Sequence, residues 1–518
     1  MDTDPTWQPT ACILCSINCG LEVRTEGRAI TRVRGDKAHP GSQGYTCEKG
    51  LRIGHYQSDP HRLTTPLRRR PDGTFEEIPW DVAIAEVAAR FNDVIAEHGG
   101  QRILFYGGGG QGNHLGGGYG GALRAALGIQ FTSNALAQEK TGEFWVDGQL
   151  FGRSSCHTTG DYEHAEVAVF WGKNPWQSHG FPQARRIVKE IANDPTRVLM
   201  VVDPRRTETV DLVLGSERGI WLRPRPGGDA HLLAAMLATI AQEGLLAEAW
   251  LAEHANGLDE VLAHLRSIDV ADYAARAGVP EPEVRHAART IAGARGGVSI
   301  FEDLGIQMAP HSTLNSWLEK LLVLLTGNFG VPGGMNLHTR FASLGGGGGD
   351  GAGGPRAERV TPVTGHRLVT GLVPCNIIPD EILGDHPDRF RAMLIESGNP
   401  VHSLADSQRM REAMRALDLL VVIDVALTET AREAHYVLPA ASQFEKWECT
   451  FFNLEFPHNF FHLRRPLFDP LPGTLPEAEI HSRLCRALGA YDDSDIEPLR
   501  AAAAVGRGEF AGAFFGLL

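Results

Sequence analysis

An internal repeat is the feature of this chain that most constrains its fold. Residues 165–209 read AEVAVFWGKNP, then a helical stretch, then RVLMVVDPRRTET. Residues 391–430 read RAMLIESGNP, then a helical stretch, then LDLLVVIDVALTET. Each copy predicts a buried strand, an Asn-Pro turn, a helix and a second buried strand, with an Asp at its end and Thr-Glu-Thr shortly after. The repeat therefore predicts two related βαβ units, each in a parallel sheet.

The polar residues of each repeat fall where parallel sheets bind ligands. Asn174 and Asn399 follow the first strand of their copies, and Asp203 and Asp424 end the second. Open parallel sheets bind ligands in the crevice beyond the carboxyl ends of their strands. Two such units predict two similar nucleotide ligands, or one occupied and one decayed site. A duplicated scaffold with ordinary turn residues is the alternative.

A cysteine cluster near the N-terminus predicts a metal site. Cys12, Cys15 and Cys19 form C-x2-C-x3-C, and Cys47 follows in C-x-K-G. Zinc favours two C-x2-C pairs, whereas three thiolates in one loop and one remote thiolate suit the corners of a [4Fe–4S] cluster. Lys49 favours the cluster because a nearby cation stabilises its reduced state, although a solvated lysine would explain it equally well. The surrounding residues 1–60 predict a small β-rich domain with a hairpin in LEVRTEGRAITRVRGD.

Composition limits the class of protein. The net charge of −14 argues against a nucleic-acid partner. No apolar run reaches the roughly 20 residues of a membrane helix, so direct membrane insertion is not expected. The polar N-terminus, without a signal peptide, predicts a cytoplasmic protein. Eight cysteines in 518 residues do not form a disulfide framework, and we expect the scattered ones to be small buried residues: Cys156, Cys375, Cys449 and Cys485.

A glycine-rich loop follows the predicted helix WDVAIAEVAARFNDVIAEHG and the predicted strand RILFY. It contains G-x-G-x-x-G at Gly107, Gly109 and Gly112. No Asp or Glu follows at the distance of about 20 residues that would bind a ribose, so NAD is not favoured. A backbone approach to another cofactor or a flexible loop fits better, and an NAD-linked dehydrogenase with a zinc site remains the alternative.

Seven motifs occur together in order: C-x2-C-x3-C…C-x-K-G, W-G-x-N-P-x-x-S-H, D-P-R-x-T-E-T, R-P-G-x-D, L-T-G-N-x-G-x-P-G-G, S-G-N-P and L-P-A-A-x-x-x-E-K. With them the chain resembles the molybdopterin oxidoreductases of the dimethyl-sulfoxide-reductase type. The resemblance is strongest to the formate-dehydrogenase-like and nitrate-reductase-like branch with an N-terminal cluster. It covers roughly residues 8–490.

The resemblance implies an α/β fold with a small iron–sulfur domain and two doubly wound α/β domains. Residues 1–60, with about 440–470, would form the iron–sulfur domain. Residues 61–133 with about 340–440 would form domain II, and 134–339 domain III. Residues 471–518 would be a helical remainder, so the family's usual C-terminal β-barrel-like domain is expected to be missing. Either the sequence is truncated or another subunit supplies that domain.

The resemblance also implies the cofactors: two molybdopterin guanine dinucleotides holding one molybdenum or tungsten, besides the [4Fe–4S] cluster. Lys49 would lie on the electron path between cluster and pterin, and Gln307 resembles a pterin-contacting glutamine. The residues implied for one dinucleotide are Gly172, Asn174, Ser178, Asp203, Arg205, Thr207, Gly228 and Asp229. Those implied for the other are Ser397, Gly398, Asn399, Pro400 and Asp424.

The family's protein ligand to the metal would fall in NALAQEKTGEFWVDG, which contains no Cys or Ser. Glu139 is the nearest anionic candidate, while Asp147, Thr141, the later Cys156, or no protein ligand at all are alternatives. The Cys or selenocysteine followed by His of formate enzymes is absent, as is their Arg-Gly-Gln-Asn stretch from 341–356. Formate dehydrogenase in the strict sense is therefore not favoured.

Two functions remain. The first is two-electron redox of a small-molecule substrate, with electrons passing through the cluster to a redox partner protein or subunit. The second is a metal-free electron-transfer or structural subunit, as in respiratory complex I. The intact repeats favour the first, and the missing ligand and domain favour the second.

Overall fold

The computed structural model describes residues 7–107, 113–152, 158–338, 359–450, 456 and 458–517. Gly109 and Gly112 of the glycine motif, Cys156, and the stretch 341–356 lie outside these residues. In the described part of the chain, none of the helices combines the length and apolar character needed to span a bilayer.

The first part of the chain carries a short three-stranded region, then a long helix and the first strands of a larger sheet. Its elements are β1 Gln8–Ala11, β2 Gly20–Glu26, β3 Ala29–Gly35, α1 Glu48–Leu51, α2 Ile53–Gln57, β4 Leu67–Arg69, β5 Phe75–Glu77, α3 Trp80–His98, β6 Ile103–Gly107, α4 His114–Ala126, β7 Phe131–Ser133, α5 Leu136–Glu139 and α6 Thr141–Phe151.

The middle part alternates strands and helices and contains the first repeat. Its elements are β8 Thr158–Gly160, β9 Val167–Trp171, α7 Pro175–Ser178, α8 Ala184–Asn193, β10 Val198–Val202, α9 Glu208–Gly215, β11 Ile220–Leu222, α10 Asp229–Gln242, α11 Glu248–His254, α12 Leu258–Ser267, α13 Val270–Ala277, α14 Glu281–Gly293, β12 Val298–Glu302, α15 Leu304–Gln307, α16 Ser312–Leu325 and β13 Met335–Leu337.

The last part contains the second repeat and ends in helices. Its elements are α17 Ile378–Leu383, β14 Ala392–Glu396, α18 Pro400–Ser403, α19 Ser407–Ala416, β15 Leu419–Asp424, β16 Tyr436–Pro439, β17 Glu448–Thr450, β18 His462–Arg464, α20 Glu477–Ala487, α21 Asp493–Val505 and α22 Arg507–Leu517. Short 3-10 turns lie at Gly100–Arg102, Cys375–Ile377 and Ala431–Glu433.

The predicted hairpin near the N-terminus is confirmed. Strands β2 and β3 pair antiparallel, and β1 pairs with β2 to complete a three-stranded sheet. The turn between β2 and β3 contains Gly27 at φ 56°, a left-handed conformation that glycine adopts without steric cost. The sheet holds both ends of the loop that carries Cys12, Cys15 and Cys19.

Both predicted βαβ units are confirmed. In the first, β9 and β10 pair in parallel within a four-stranded sheet of order β11-β10-β9-β12. In the second, β14 and β15 pair in parallel within a seven-stranded sheet of order β5-β4-β16-β15-β14-β6-β7. The hairpin β4–β5 forms an antiparallel edge of this larger sheet. The carboxyl ends of the two repeat strands therefore meet at one edge of each sheet.

The apolar composition of the repeat strands explains why they are buried. VAVFW, VLMVV and AMLIE are buried along their whole length. Such continuous burial is typical of parallel sheets with helices on both faces. On one face of the smaller sheet, α10 is buried around most of its circumference, and α8 covers the other face. The expected α/β class with an internal repeat is thus confirmed.

The N-terminal sheet packs against a segment that returns late in the chain. Phe444 and Phe468 share a hydrophobic cluster with Cys12, Leu21 and Ile53. This contact joins residues 12–53 to the stretch after β16. The domain boundaries expected from the sequence remain a prediction.

The carboxylate of Glu445 anchors this contact. Its side chain is fully enclosed and accepts hydrogen bonds from Arg62 at 2.6 and 2.7 Å and from Gln57 at 3.0 Å. It also pairs with Arg28 and accepts the Ser442 backbone N–H at 2.9 Å. Burial alone would raise the pKa of Glu445, but the bonds from Arg62, Ser442 and Gln57 together lower it to about 2. A charged carboxylate is therefore the stable form at this position.

Glu445→Gln is expected to destabilise the chain because it leaves the buried Arg62 guanidinium without its counter-charge. Removing one partner of a buried ion pair costs about 3–5 kcal/mol, so we expect a loss of that order in the free energy of unfolding at neutral pH. The lowered pKa adds stability above the ordinary value of 4.5, which is lost as the pH falls toward 2. Denaturant unfolding at several pH values measures both effects.

Glu190→Gln, at an exposed pair with Arg186, is the control and should change stability by less than about 0.5 kcal/mol. Equal effects of the two substitutions would contradict this account.

Candidate cofactor site

The loop of three cysteines is closed by backbone bonds. The Cys12 N–H donates to the Cys19 carbonyl at 2.8 Å, where β1 and β2 diverge. Asn18 turns the chain at φ 49° and donates its N–H to the Cys15 carbonyl at 3.3 Å. Cys47 comes from the other side, directly before α1. A Cβ at Gly50 would lie 3.7 Å from the Cys12 sulfur, so α1 approaches this loop closely.

The four thiols interact electrostatically. Burial raises the pKa of Cys12 to about 12, with smaller contributions from Cys15 and Cys47, while a backbone bond at Leu14 and the Lys49 cation oppose it. Burial likewise raises the pKa of Cys19, and Cys15, Cys12 and Cys47 add to it. The neighbouring thiols thus disfavour ionisation of Cys12 and Cys19, which fits a site in which bound iron supplies the positive charge. No three Cys, His, Asp or Glu side chains of the described residues converge as they would around a single metal ion.

The cysteine region docks on the first repeat. The Tyr45 hydroxyl lies 2.9 Å from Nδ1 of His179, and Glu48 pairs with Arg185. Lys49 is exposed on α1, and its charge acts on both Cys12 and His179. Lys49 is therefore near enough to both the cysteine loop and the first repeat to influence their charge, and its place on an electron path stays a prediction.

Each repeat bends sharply at the end of its first strand. Gly172 follows β9 at φ 61°, and its N–H donates to the Val202 carbonyl at 2.9 Å. Ser397 occupies the same place after β14 at φ 54°, and its N–H donates to the Ile423 carbonyl at 3.1 Å. A Cβ at Gly172 would lie 2.6 Å from the backbone nitrogen of Ile306, so only glycine fits there. The bend directs the Asn-Pro turn across the edge of the sheet.

The two Asn residues are held in the same way in both repeats. Asn174 donates to Glu208 at 2.7 Å and accepts from the Thr209 hydroxyl at 2.7 Å. In the second repeat Asn399 donates to the carboxylate of Glu429 at 2.6 Å and accepts from the hydroxyl of Thr430 at 2.8 Å. Sequence reasoning did not identify Glu208, Thr209, Glu429 or Thr430 as partners, although the repeated Thr-Glu-Thr was the signal that could have found them. Each Asn thus ties the first turn of its repeat to the second.

Other implied dinucleotide residues have local roles. The hydroxyl of Ser178 donates to the Asn174 carbonyl at 3.0 Å. Thr207 is buried and caps α9 by accepting the Val210 N–H at 3.3 Å. Arg205 is exposed, and its N–H donates to Asp203 at 2.8 Å. Of these three, Ser178 and Arg205 are exposed to solvent, whereas Thr207 is buried.

Two carboxylates meet at the edge of the smaller sheet. Oδ1 of Asp229 accepts from the indole N–H of Trp171 at 2.8 Å, which ties the start of α10 to the end of β9. Burial raises the pKa of Asp229, the Trp171 bond opposes this, and the nearby Asp203 raises it further. Gly228, directly before Asp229, is the N-cap of α10. The structure thus brings together Gly172, Asp203, Gly228 and Asp229 at this edge.

The second repeat has one such carboxylate. Asp424 ends β15 half-buried and accepts the N–H groups of Val425 at 2.6 Å and Ala426 at 3.3 Å. Burial raises the pKa of Asp424 to about 6 against these bonds. Gly398 packs against Tyr106 of β6, since a Cβ there would lie 2.9 Å from the ring, and Pro400 opens α18.

Glu139 lies near residues of both large sheets: Asp303, which follows β12 of the four-stranded sheet, and Tyr106 of β6 in the seven-stranded sheet. Burial raises its pKa, Lys140 lowers it, and Asp303 raises it. Its charge also acts on Tyr106 and Cys375, which belong to the larger sheet and the segment beside it. Cys375 is buried and donates to the Asn134 carbonyl at 3.1 Å. It is a thiol near the expected ligand position that the sequence did not reveal, because nothing in its local pattern distinguishes it from a core cysteine.

Gln307 is buried rather than open to the crevice. Its amide nitrogen donates to Glu143 at 2.7 Å and to Glu302 at 3.1 Å. These carboxylates were not predicted as neighbours. The contact to a pterin expected for Gln307 stays a prediction.

Comparison with known families decides the assignment. Residues 62–474 match the model described as molybdopterin oxidoreductase, and residues 5–59 match the molybdopterin oxidoreductase Fe4S4 domain. The chain belongs to the molybdopterin oxidoreductase family. The expected resemblance is therefore confirmed, together with molybdopterin and a [4Fe–4S] cluster as the cofactors of its domains.

The relatives include enzymes with two named activities. A nitrate reductase from Symbiobacterium thermophilum is 29% identical, over 85% of this chain and 61% of its own length. The alpha subunit of F420-dependent formate dehydrogenase 1 from Methanococcus maripaludis is 26% identical, over 86% of this chain and 65% of its own. The chain spans roughly two thirds of the length of these relatives. Acetylene hydratase from Pelobacter acetylenicus has the same fold, with a TM-score of 0.77 at 19% identity over 93% of this chain and 69% of that one.

Gly172→Ala is expected to weaken the first repeat. An alanine at φ 61° costs about 1–2 kcal/mol, and its methyl group would press on the backbone of Ile306 for about 1–3 kcal/mol more. Thermal and denaturant unfolding measure the change. Gly215→Ala is the matched control because a Cβ there meets nothing within 4 Å and the residue ends α9, so its stability should stay the same or rise slightly. A neutral Gly172→Ala would contradict the tight bend described here.

Proposed function

We propose that this chain carries out two-electron redox of a small-molecule substrate at a metal held by two molybdopterin guanine dinucleotides. The [4Fe–4S] cluster carries the electrons between the metal site and a redox partner protein or subunit, and the protein works in the cytoplasm. The observation that carries the proposal is the pair of equivalent polar turns, one at the strand ends of each sheet, with the cysteine region docked against the first of them.

The described residues fit such cofactors. Guanine presents N–H donors along one edge, and Asp203 with Asp229 offers acceptors at one sheet while Asp424 offers them at the other. When bound, the metal supplies the change of two electrons. Around it, Glu139 is the proposed carboxylate ligand, and its half-buried place between the two α/β units supports this role. Lys49 is proposed to lower the barrier to electron transfer between cluster and pterin because its charge acts on both sides of that contact.

Of the two activities named among the relatives, reduction of an oxyanion of the nitrate type is favoured here. The Cys or selenocysteine followed by His expected of formate enzymes is absent from residues 134–148. The alpha-subunit name of the formate relatives supports a partner subunit for this chain.

Metal and pterin analysis of the purified protein is the decisive measurement. We expect one molybdenum or tungsten, two guanine nucleotides, and four irons with matching sulfide per chain. Cys47→Ser should lose the paramagnetic signal of the reduced cluster, whereas Cys485→Ser, at a core thiol of α20, should keep it. Iron and sulfide without molybdenum, tungsten or pterin would favour the metal-free electron-transfer subunit, and zinc without sulfide would exclude the cluster.

Asp203→Asn and Asp424→Asn are expected to reduce the retained guanine nucleotide because each replaces a charged acceptor by an amide. A hydrogen bond to a charged group contributes about 1.5–3 kcal/mol, so nucleotide affinity should fall roughly 10- to 150-fold. Nucleotide released by acid from the purified protein measures the effect. Asp211→Asn, at an exposed pair with Arg206, should retain the full amount. Full retention in both crevice variants would refute the nucleotide assignment.

A further inference from the structure

A buried cluster of charged side chains begins just after Glu139 in the chain and includes a pair with its neighbour Lys140, and neither the family assignment nor the repeats account for it. Three elements contribute to it. Helix α6 supplies Glu143 and Asp147, the end of β12 supplies Glu302, and α16 supplies Glu319 and Lys320. All five residues are less than 5% exposed.

Lys320 is at the centre of the cluster. Its ammonium nitrogen lies 2.7 Å from Glu319, 3.4 Å from Glu143 and 3.9 Å from Oε2 of Glu302. Lys140 joins from the side of Glu139 and lies 3.2 Å from Glu143. Four carboxyl groups therefore face two ammonium groups. Asp303 is the next acid along the chain, but it is paired with Lys173 at 2.5 Å.

Ionising all four carboxyl groups would leave two uncompensated negative charges in the interior. Isolated buried charges cost so much free energy that such groups take up protons instead. The two lysines remain charged because carboxylates surround them, so the protons must go to the acids. Burial raises the pKa of Asp147 to about 8 and that of Glu302 to about 7, in both cases opposed by Lys320 and reinforced by Glu143.

Unsatisfied carboxylate oxygens in the cluster are independent evidence that some of its carboxyl groups are protonated. Among the described residues, Oδ1 of Asp147, Oε2 of Glu302 and Oε1 of Glu319 are buried acceptors with no donor. The other oxygens of these groups are engaged: Asp147 accepts from the Thr158 N–H at 3.0 Å, and Glu302 from Ser316 at 2.7 Å and Gln307 at 3.1 Å. With no donor on these oxygens, the charged carboxylates would lose their hydration without compensation, which favours the neutral, protonated form.

We propose that this cluster is a proton store for the cofactor site: at neutral pH it holds at least one proton on its carboxyl groups, and Glu143 passes protons to the substrate side at Glu139. Glu143 begins the route because it bonds Lys140, Lys320 and Gln307 and lies in the first turn of α6, four residues after Glu139 in the chain. The release of protons to a substrate rests on the proposed function. Removing one oxygen atom from an oxyanion breaks one bond to oxygen and takes up two electrons and two protons to form water. The redox partner supplies the electrons, and the store supplies protons that solvent restores.

Infrared spectroscopy of the purified chain tests the store without any bound cofactor. We expect the carbonyl stretch of a protonated carboxyl group at neutral pH, which shifts when Asp and Glu are labelled with carbon-13. It should weaken in Glu302→Gln and in Asp147→Asn. Glu445→Gln is the control, because that carboxylate is equally enclosed but charged, and it should leave the band unchanged. Absence of the band in the unsubstituted protein would overturn the proposal even if the variants fail to fold.

The pH dependence of stability is a second readout. Because the pKa of Asp147 is raised from 3.8 to about 8, the folded state binds a proton that the unfolded state has lost over this range. The free energy of unfolding should therefore fall as the pH rises from about 4 to 8, and this slope should be shallower in Asp147→Asn. An unchanged slope in that variant would count against protonation at Asp147.

The transfer step is tested in enzyme loaded with metal. We expect Glu143→Gln to lower kcat about 10- to 100-fold with little change in KM, and to increase the solvent deuterium isotope effect. An unaltered kcat together with an intact carboxyl band would overturn the route through Glu143 while leaving the proposed redox activity in place. Unsubstituted enzyme with bound metal but no redox activity would instead refute the proposed function.

Discussion

The pairing of the parallel strands in each repeat is the interaction on which the rest of the site depends. Strands β9 with β10 and β14 with β15 are aligned so that both turns of each repeat emerge at the same edge. The left-handed residue after the first strand then directs the Asn-Pro turn across that edge. Asn174 and Asn399 complete the arrangement by binding the Thr-Glu-Thr segment after the second strand. Without the pairing, the polar residues of the two turns would have no fixed relation to one another.

The chain solves the problem of buried charge in two different ways. Around Glu445, guanidinium and amide donors match the carboxylate, so the charged form is stable and joins the iron–sulfur region to a distant segment. Around Lys320 the acids outnumber the cations, so protons must complete the balance. The two sites differ because of the number of hydrogen-bond donors that surround their carboxylates. Arginine brings several N–H groups in a rigid plane, whereas one lysine can satisfy only a few carboxylate oxygens.

Contacts between separate parts of the chain create the environment expected for a redox cofactor. Tyr45 with His179, and Glu48 with Arg185, join the cysteine region to the first repeat. Glu139 lies where its charge acts on residues from both α/β units. An electron path and a substrate position both need residues from separate parts of the chain in contact. A cofactor that was bound by one part alone would be exposed to solvent on its other side.

The sequence by itself determined the local elements, the two βαβ units and the family. Continuous apolar runs bounded by Gly, Asn and Pro leave few alternatives to buried parallel strands, and the C-x2-C-x3-C loop is too compact for most other metal sites. Only the tertiary structure decided which distant side chains meet: Asn174 with Glu208, Glu445 with Arg62, Gln307 with Glu143, and Cys375 near Glu139. Periodicity reports which face of an element is buried, but not which element covers it. The ionisation of Glu302 and Asp147 depends on charges contributed by α6 and α16, far apart in the chain, and so becomes defined only when those helices pack together.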